Sequence, residues 1–325
     1  MENNHLDIAF GVVYRSEYRQ SFFGFEKLHP ADTLRFQKIY KYLIRQNIVQ
    51  PKHVFSPRRI KHKHLTLVHD ANHLEKLSSP QYVGSALEFP LPKWLPSFIV
   101  NWKVLRPFQF AVGGTIMASE LALQTGLAVN LAGGYHHARA AMAHGFCLYA
   151  DVALAIRHLR DSGYTKKILI VDTDAHQGDG NHCFFKDDPT VFSIHEKDIF
   201  PFPKLTGDLD IELQTGIEDD EYLTILKQSL ISIFETFTPS LIFHVAGADI
   251  LNDDPLTGMC ITTTGLQQRD NLILNMALQR DIPLVYLLAG GYGPSSAKAQ
   301  GLSIEAMLTI KQNYNLSHKT KESST

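Results

Sequence analysis

Three side chains that can bind metals or exchange protons directly follow one apolar run of this 325-residue chain. Residues 167–171 are predicted to form a buried parallel strand, and Asp172, Asp174 and His176 follow at intervals of two. In extended backbone this spacing points all three side chains to the same side. Carboxylates buried beside an imidazole are costly unless a cation or shared protons satisfy them. Asp174 and His176 are therefore candidate zinc ligands, and the site needs at least one more ligand.

Three further apolar runs end in loops that carry glycines, histidines, an aspartate or a tyrosine. These residues are Gly133, Gly134, His136 and His137 after 128–131, Gly247 and Asp249 after 241–245, and Gly290, Gly291 and Tyr292 after 283–288. Open sheets of parallel strands bind ligands beyond the carboxyl ends of their strands. We therefore expect the four loops to meet in one site.

The residue types of these loops indicate a catalytic metal. Asp174, His176 and Asp249 together would hold one divalent ion and leave a coordination position open for water. An open position is typical of catalytic zinc sites, where the metal lowers the pKa of water toward neutrality. Histidine and carboxylate ligands also suit Fe²⁺, so the residue types leave the choice between Zn²⁺ and Fe²⁺ open.

The remaining polar residues indicate hydrolysis of an amide. A base must take the proton of the water, and His136 and His137 are two candidates. Each imidazole needs a partner that orients it, and Asp172 and Asp179 are the carboxylates left over beside the metal motif. Tyr292, on a glycine-rich loop, could donate a hydrogen bond to the oxyanion that forms during hydrolysis.

Composition excludes several classes of function. The formal net charge is −2, from 31 Lys and Arg and 33 Asp and Glu residues, which provides no overall electrostatic attraction to nucleic acid or to an anionic membrane. Cys147, Cys183 and Cys260 are too few and too scattered for a disulfide framework. The chain contains no apolar run of membrane-spanning length and does not begin with a signal-peptide pattern. We expect a cytoplasmic protein, with a nuclear location left open.

Strands and helices are predicted to alternate along one continuous domain. The predicted strands are 8–13, 128–131, 167–171, 191–194, 241–245 and 283–288, and the predicted helices are 33–45, 114–123, 151–159, 220–237 and 265–279. This alternation favours an α/β fold with a mostly parallel central sheet between helical layers. The proline-rich segment 89–96 is predicted to be an ordered loop. We expect one catalytic domain over 1–316 and a disordered tail over 317–325.

The motifs in this order resemble the zinc-dependent histone deacetylases, a family with an arginase-like, three-layer fold. The motifs are His136-His137, residues 172–180, 247–249 and 290–292, and the resemblance runs from about residue 8 to about residue 312. The class IV branch is the most similar, because Gln177 stands where other classes have histidine. The segments 26–30, 103–107, 113–118 and 218–223 also resemble class IV sequences.

The resemblance implies a role for each site residue. It implies zinc ligands at Asp174, His176 and Asp249, a general base at His137 oriented by Asp179, an electrostatic pair of His136 with Asp172, and a carbonyl-polarising Tyr292. It also implies an acyl-lysine tunnel with walls at Gly145, Phe146 and Phe200. A structural K⁺ ion would be held near Asp172, Asp174, His176 and Ser193, partly through backbone carbonyls.

The resemblance also defines the expected substrate, an acylated lysine side chain of a protein or peptide. The rim aspartate that grips the substrate backbone in other classes has no equivalent within residues 80–100. Its absence bears on how a peptide backbone would be recognised. The resemblance to the class IV branch implies that a roomier acyl pocket could take long fatty acyl chains as well as acetyl. We expect no direct nucleic-acid partner, and the oligomeric state stays open.

Several alternatives remain at this point. A small-molecule amidohydrolase, such as an acetylpolyamine deacetylase, would need acidic residues at the tunnel mouth. A binuclear ureohydrolase would need extra carboxylates, for which Asp253 and Asp254 are candidates. A non-enzymatic acyl-lysine binding module would need neither Tyr292 nor the histidine pair. The basic segment 56–64 is interpreted as a solvated loop.

Overall fold

Eight parallel strands form one sheet in a computed structural model of the chain. The structure describes residues 8–20, 29–89, 91, 94–185, 190–207 and 209–322. The strands are β1 (Gly11–Val13), β2 (Val54–Phe55), β3 (Leu127–Asn130), β4 (Leu169–Asp172), β5 (Thr190–Glu196), β6 (Leu209–Leu213), β7 (Ile242–Val245) and β8 (Leu284–Leu287). Their order across the sheet is β2-β1-β3-β8-β7-β4-β5-β6. The predicted α/β fold with a parallel central sheet is confirmed.

Helices cover both faces of the sheet. They are α1 (Arg35–Arg45), α2 (His62–Leu65), α3 (Ala71–Lys76), α4 (Pro80–Ala86), α5 (Ser97–Val100), α6 (Arg106–Thr125), α7 (Asp151–Asp161), α8 (Asp179–Phe184), α9 (Asp219–Thr236), α10 (Thr263–Leu278) and α11 (Ser296–Glu322). Side chains of α1, α9, α10 and α11 join the core on one face, and those of α6 and α7 join the core on the other.

The central strands are apolar on both sides because both of their faces are covered. In β4, Leu169 and Val171 belong to the core under α9 and α10, whereas Ile170 belongs to the core under α6 and α7. This burial explains why β3, β4, β7 and β8 could be predicted from continuous apolar runs.

Two strands and several helices were missed by the sequence analysis. The two-residue β2 is too short to produce a pattern. The edge strand β6 is partly exposed, and its alternation of Leu209, Ile211 and Leu213 with two acids is the signal that could have revealed it. Helix α11 continues through Glu322, so residues 317–322, where we expected a disordered tail, are helical. Residues 26–28 of one class IV-like segment, and Pro90, Pro92 and Lys93 of the proline-rich segment, lie outside the described residues.

A third apolar cluster lies beside the sheet. It joins α2, α3 and α4 to α5 and the first half of α6 through buried residues such as Leu65, Val83 and Phe108. In the part of the chain that the structure describes, no helix is both long and apolar enough to cross a bilayer.

Candidate active site

The four loops predicted to meet do so because their strands are neighbours. The strands β3, β8, β7 and β4 are adjacent in that order and parallel, so their carboxyl ends lie along one edge of the sheet. The loops after them carry His136 and His137, Tyr292, Asp249, and the Asp174–His176 pair. Residues about 150 positions apart in sequence are thus assembled at one edge.

Asp174, His176 and Asp249 form a buried cluster with the geometry of a metal site. Their ligand atoms all lie within 4.8 Å of one another. The imidazole Nδ1 of His176 lies 3.2 Å from Oδ1 of Asp174 and 2.9 Å from Oδ2 of Asp249. Among the described residues, this is the cluster of three His, Cys, Asp or Glu side chains that could hold an ion.

The donor set of this cluster fits a divalent cation. Burial and the charge of Asp174 both raise the pKa of the Asp249 carboxyl, because two carboxylates lie together with little solvent. A bound cation would relieve that repulsion. Two glycines make room for the carboxylates. A Cβ at Gly247 would lie 2.4 Å from Oδ2 of Asp174, and a Cβ at Gly290 would lie 2.4 Å from Oδ2 of Asp249.

Beside the Asp174–His176–Asp249 cluster, His137 is hydrogen-bonded to Asp179. Its Nδ1 lies 2.6 Å from Oδ1 of Asp179 in a buried pair. The second oxygen of Asp179 accepts hydrogen bonds from the Arg139 guanidinium and lies 3.1 Å from Nε2 of His144. Although burial opposes ionisation, the hydrogen bonds with His137 and His144 hold the pKa of Asp179 well below its usual range. Asp179 is thus a fixed carboxylate that orients the ring of His137.

His136 makes the corresponding contact with Asp172. Its Nδ1 lies 2.8 Å from Oδ2 of Asp172, and its Nε2 lies 3.6 Å from Oδ1 of Asp174. Burial favours the neutral ring, but the charges of Asp172 and Asp174 outweigh burial and raise the pKa of His136 to about 9. Burial and the charge on His136 lower the pKa of His137 to about 3. The two adjacent histidines therefore differ in protonation at neutral pH, with His136 positively charged and His137 neutral.

The loop after β8 holds Tyr292 beside the Asp174–His176–Asp249 cluster. Its backbone N–H donates to Oδ2 of Asp254 at 2.7 Å, and the N–H of Gly293 donates to the same oxygen at 3.1 Å. Burial, with the charges of Asp174 and Asp249, raises the pKa of the Tyr292 phenol well above its usual value. The hydroxyl therefore keeps its proton at neutral pH.

Gly145 and Phe146 line the cavity that leads to these residues, as the family resemblance implies. The ring of Phe146 packs at 5.5 Å from the ring of Tyr292. Gly145 has a φ of +53° and no room for a side chain, since a Cβ would lie 2.5 Å from the ring of His137. Phe200 packs at 5.0 Å from the ring of His137, although it is not among the described residues that line this cavity.

Ser193 lies on the strand next to Asp172. The two residues pair in the register of β4 and β5, and Oγ of Ser193 lies 2.9 Å from Nδ1 of His195. The four residues expected near K⁺ lie in neighbouring positions at this edge of the sheet.

The comparisons with known proteins decide the family. The family model of the histone deacetylase domain matches residues 29–307. The chain belongs to the histone deacetylase family. Histone deacetylase 2 of Arabidopsis thaliana is 36% identical to it over 299 residues, which cover 90% of this chain and 77% of the relative. This family membership identifies a hydrolase of the deacetylase type.

Other members of the family differ more in sequence. The acetoin utilization protein AcuC of Staphylococcus xylosus is 28% identical over 307 residues, which cover 89% of this chain and 79% of that protein. The crystal structure of a histone deacetylase homolog from Aquifex aeolicus matches with a TM-score of 0.75 at 25% identity and covers 93% of this chain and 84% of its own. Histone deacetylases are generally zinc-dependent, which agrees with the donor set of the cluster.

The two carboxylates considered for a second metal have other partners in this deacetylase-family protein. Asp254 binds the backbone of the Tyr292 loop, as described above. Asp253 accepts hydrogen bonds from the backbone and the hydroxyl of Ser295, at 3.0 and 2.8 Å. Both therefore fix the loop after β8, and the ureohydrolase alternative loses its candidate ligands.

Three buried residues that support the site were missed by the sequence analysis. Arg269 donates to the carbonyls of Thr173 and Gly247, and Arg35 donates to the carbonyl of Gly291 at 3.0 Å. Asp151 accepts from the backbone N–H groups of Gly134 and Tyr135, at 2.9 and 2.8 Å, and so fixes the loop before His136. All three bind backbone atoms, and such contacts leave no spacing pattern in the sequence.

Proposed function

We propose that this protein is a zinc-dependent hydrolase that removes acyl groups from the lysine side chains of proteins or peptides. The observation that carries the proposal is the 2.6 Å contact of His137 with Asp179 directly beside the buried Asp174–His176–Asp249 cluster. His137 and Asp174 line one cavity, so a candidate base with its orienting carboxylate lies beside a candidate metal site, which is the combination that amide hydrolysis needs.

His137 is the proposed general base. Zinc held by Asp174, His176 and Asp249 would supply a Lewis acid for the acyl carbonyl and would acidify water. Because Nδ1 of His137 is engaged by Asp179, Nε2 is the atom that takes the proton of the attacking water. The same nitrogen then returns the proton to the lysine nitrogen as the amide bond breaks.

Tyr292 is the proposed oxyanion donor. Its hydroxyl keeps its proton at neutral pH, so it can donate a hydrogen bond where negative charge develops on the carbonyl oxygen. Asp254 holds the Tyr292 backbone and thereby fixes the position of the hydroxyl. His136, in its ion pair with Asp172, would direct its Nε2–H toward the proposed metal site, where Oδ1 of Asp174 lies 3.6 Å away.

The cavity lining supports an apolar acyl group. Leu87, Phe89, Val104 and Phe108 line it together with Phe146. A lining of this kind could accept a fatty acyl chain in addition to acetyl. We extend the proposal to long-chain deacylation, to membership of the class IV branch and to a structural K⁺ ion near Asp172 and Ser193.

A small-molecule deacetylase is the second candidate, favoured by the similarity to AcuC. Among the described residues that line the cavity, the acids are Asp32 and Asp174. Asp174 belongs to the proposed metal site, and Oδ2 of Asp32 lies 2.6 Å from the ammonium of Lys38. Little acidic charge is therefore left to attract a polyamine cation, and this supports a lysine side chain of a peptide as the substrate.

The test compares hydrolysis of one lysine peptide that carries acetyl, the same peptide with a long fatty acyl group, and acetylspermidine. Each substrate is assayed with and without a zinc chelator. We expect chelator-sensitive release from the peptides, with lower turnover on the polyamine. The acyl chain that is removed faster reports the size of the pocket.

His137→Ala and the surface variant His158→Ala serve as a matched pair, because both remove one imidazole. The first should abolish release and the second should preserve it, since the half-exposed His158 lies on α7 outside the site and contacts Glu120. Faster release from acetylspermidine than from either peptide would favour the small-molecule candidate. Equal activity in both variants would overturn the role of His137.

A further inference from the structure

One region of the protein carries a charge opposite to that of the whole chain. Residues 46–69 and 89–119 contain eight of the 31 Lys and Arg residues and none of the 33 Asp and Glu residues, whereas the segment between them contains Asp70, Glu75, Lys76 and Glu88. Arg58, Arg59, Lys61 and Lys63 are exposed, and in the described part of the chain no acidic side chain forms an ion pair with any of them. Their charge is therefore available to a partner.

A stripe of aromatic side chains projects from the second of these segments. Trp94 is 80% exposed, Phe98 is 68% exposed and Trp102 is 54% exposed. They follow one another at intervals of four, which places Phe98 and Trp102 on the same side of the helix that begins at Ser97. Three large exposed aromatics in one stripe indicate a binding surface.

The aromatic stripe and the basic segment are neighbours in the fold. A surface groove is lined by His62 and Leu65 from one side and by Phe98 and Asn101 from the other. The backbone N–H of Ile60 also donates to the carbonyl of Gln109 at 3.2 Å, which ties the basic segment to α6. The basic segment and Phe98 thus border the same groove. We call the surface that carries Arg58, Arg59, Lys61, Lys63, Phe98 and Trp102 the basic–aromatic face.

A local break in the helix orients this face. Pro107 has no N–H to donate, and the helix over 101–105 widens so that the N–H of Arg106 donates to the carbonyl of Asn101. Within this wide turn Trp102 faces solvent while Val104 is buried and lines the candidate catalytic cavity. The exposed stripe is therefore the outer side of a cavity wall.

We propose that the basic–aromatic face docks the protein on an anionic lipid bilayer. Trp and Phe prefer the boundary between headgroups and acyl chains, and Lys and Arg beside them are attracted to anionic headgroups. The groove between them also carries Leu65, Leu74, Leu77 and Leu105. Leu65, Leu77 and Leu105 are at most 5% exposed and form the floor of the groove, so Phe98 and Trp102 would make the contact with the lipid.

The test measures co-sedimentation of the full chain with vesicles of phosphatidylcholine, alone or with phosphatidylserine. We expect binding to the anionic vesicles that weakens as salt is added. The charge variant Arg59→Gln, Lys61→Gln, Lys63→Gln should weaken binding by about fivefold per removed charge. The aromatic variant Phe98→Ser, Trp102→Ser should weaken it by about tenfold per side chain.

A matched control variant comes from α9, where Lys227 and Ile231 are exposed one turn apart. Lys227→Gln, Ile231→Ser should bind vesicles as the wild type does. Binding is measured without substrate, so the result does not depend on the proposed hydrolase activity. Thermal unfolding of each variant shows whether the fold is intact, and the altered residues are exposed, which favours an intact fold.

Three results would overturn lipid docking. The first is wild-type protein that stays in the supernatant when the anionic vesicles are pelleted. The second is binding that neither the charge variant nor the aromatic variant weakens. The third is evidence for a different occupant of the same face. That evidence would be binding of a single-stranded oligonucleotide, or a concentration-dependent dimer in light scattering, in the absence of vesicle binding. Either one would have to be lost in the charge and aromatic variants.

Discussion

Arg269 donates a hydrogen bond from Nη1 to the carbonyl oxygen of Gly247 at 2.6 Å. The same nitrogen lies 3.2 Å from the carbonyl oxygen of Thr173. Thr173 directly precedes Asp174, and Gly247 lies two positions before Asp249. One buried guanidinium therefore connects the two loops that carry the proposed metal ligands, and Asp270 fixes it through Nε at 2.8 Å.

Arg269→Lys should lower metal affinity by about tenfold or more, because supporting contacts of this kind orient the ligands. Lysine keeps the charge, but its single ammonium lacks the separate Nε–H with which Arg269 binds Asp270, so it cannot hold Asp270 and both carbonyls in the same geometry. Metal affinity is measured by competition with a chromogenic chelator, and Arg280→Lys, at the end of the same helical region, is the control. Unchanged affinity in a folded Arg269→Lys protein would show that the loops hold their geometry without this contact.

Tyr292→Phe should lower turnover by about 100- to 1000-fold while metal content stays the same, since one oxyanion donor is lost. The loss is expected in kcat more than in KM, because the hydrogen bond forms only as charge develops. Steady-state kinetics on an acetyl-lysine peptide and metal analysis of the same sample check both parts. A turnover close to that of the wild type would remove the proposed role of the hydroxyl.

Asp254→Ala should lower turnover by roughly 10- to 100-fold through displacement of the Tyr292 loop. Asp254 accepts hydrogen bonds from the backbone N–H groups of Tyr292 and Gly293. This role involves no contact with the proposed metal ligands. A double-mutant cycle with Tyr292→Phe measures the coupling. If Asp254 acts through Tyr292, the double variant should be no slower than Tyr292→Phe alone; additive losses would contradict that role.

Acid should destabilise the fold through His69. Burial lowers the pKa of His69 to about 4 from a usual value of 6.5, and Ala150 donates its N–H to Nε2 at 3.0 Å, which requires that nitrogen to be unprotonated. Below about pH 6.5 the unfolded chain takes up a proton that the folded chain excludes, so stability falls as the pH drops toward 4, by up to about 3 kcal/mol.

Urea unfolding between about pH 7 and pH 4 measures this effect. His69→Gln should lose less stability over that range than the wild type, and His62→Gln, at an exposed position, should behave as the wild type does. If the stability of all three proteins depends on pH in the same way, His69 takes up its proton as readily in the folded chain as in the unfolded chain.

The sequence predicted those parts of the site in which side chains directly follow buried strands. Asp174, His176 and Asp249 were found because apolar runs ended just before them, and the neighbouring strands bring them together. Arg269 and Arg35 could not be predicted. Both lie on helices, and both act on backbone carbonyls that any sequence supplies.

The fold, like the site, was predictable only in part. Buried strands such as β4 and β7 produce continuous apolar runs, so their existence was predicted with small errors at the ends. The region from α2 to α5 consists of helices of four to seven residues, which are too short for a repeating pattern. The exposure of Trp94 and Phe98 was likewise not predictable, because aromatic residues are usually buried.

The most direct test of the account is the metal content of the wild type and of Asp249→Ala, measured together with hydrolysis of an acetyl-lysine peptide by the same samples. We predict about one zinc ion per wild-type chain, with loss of both metal and activity in the variant, because two ligands rarely retain an ion that needs three. Full zinc occupancy in Asp249→Ala, or about two divalent ions per wild-type chain, would contradict the mononuclear site proposed here.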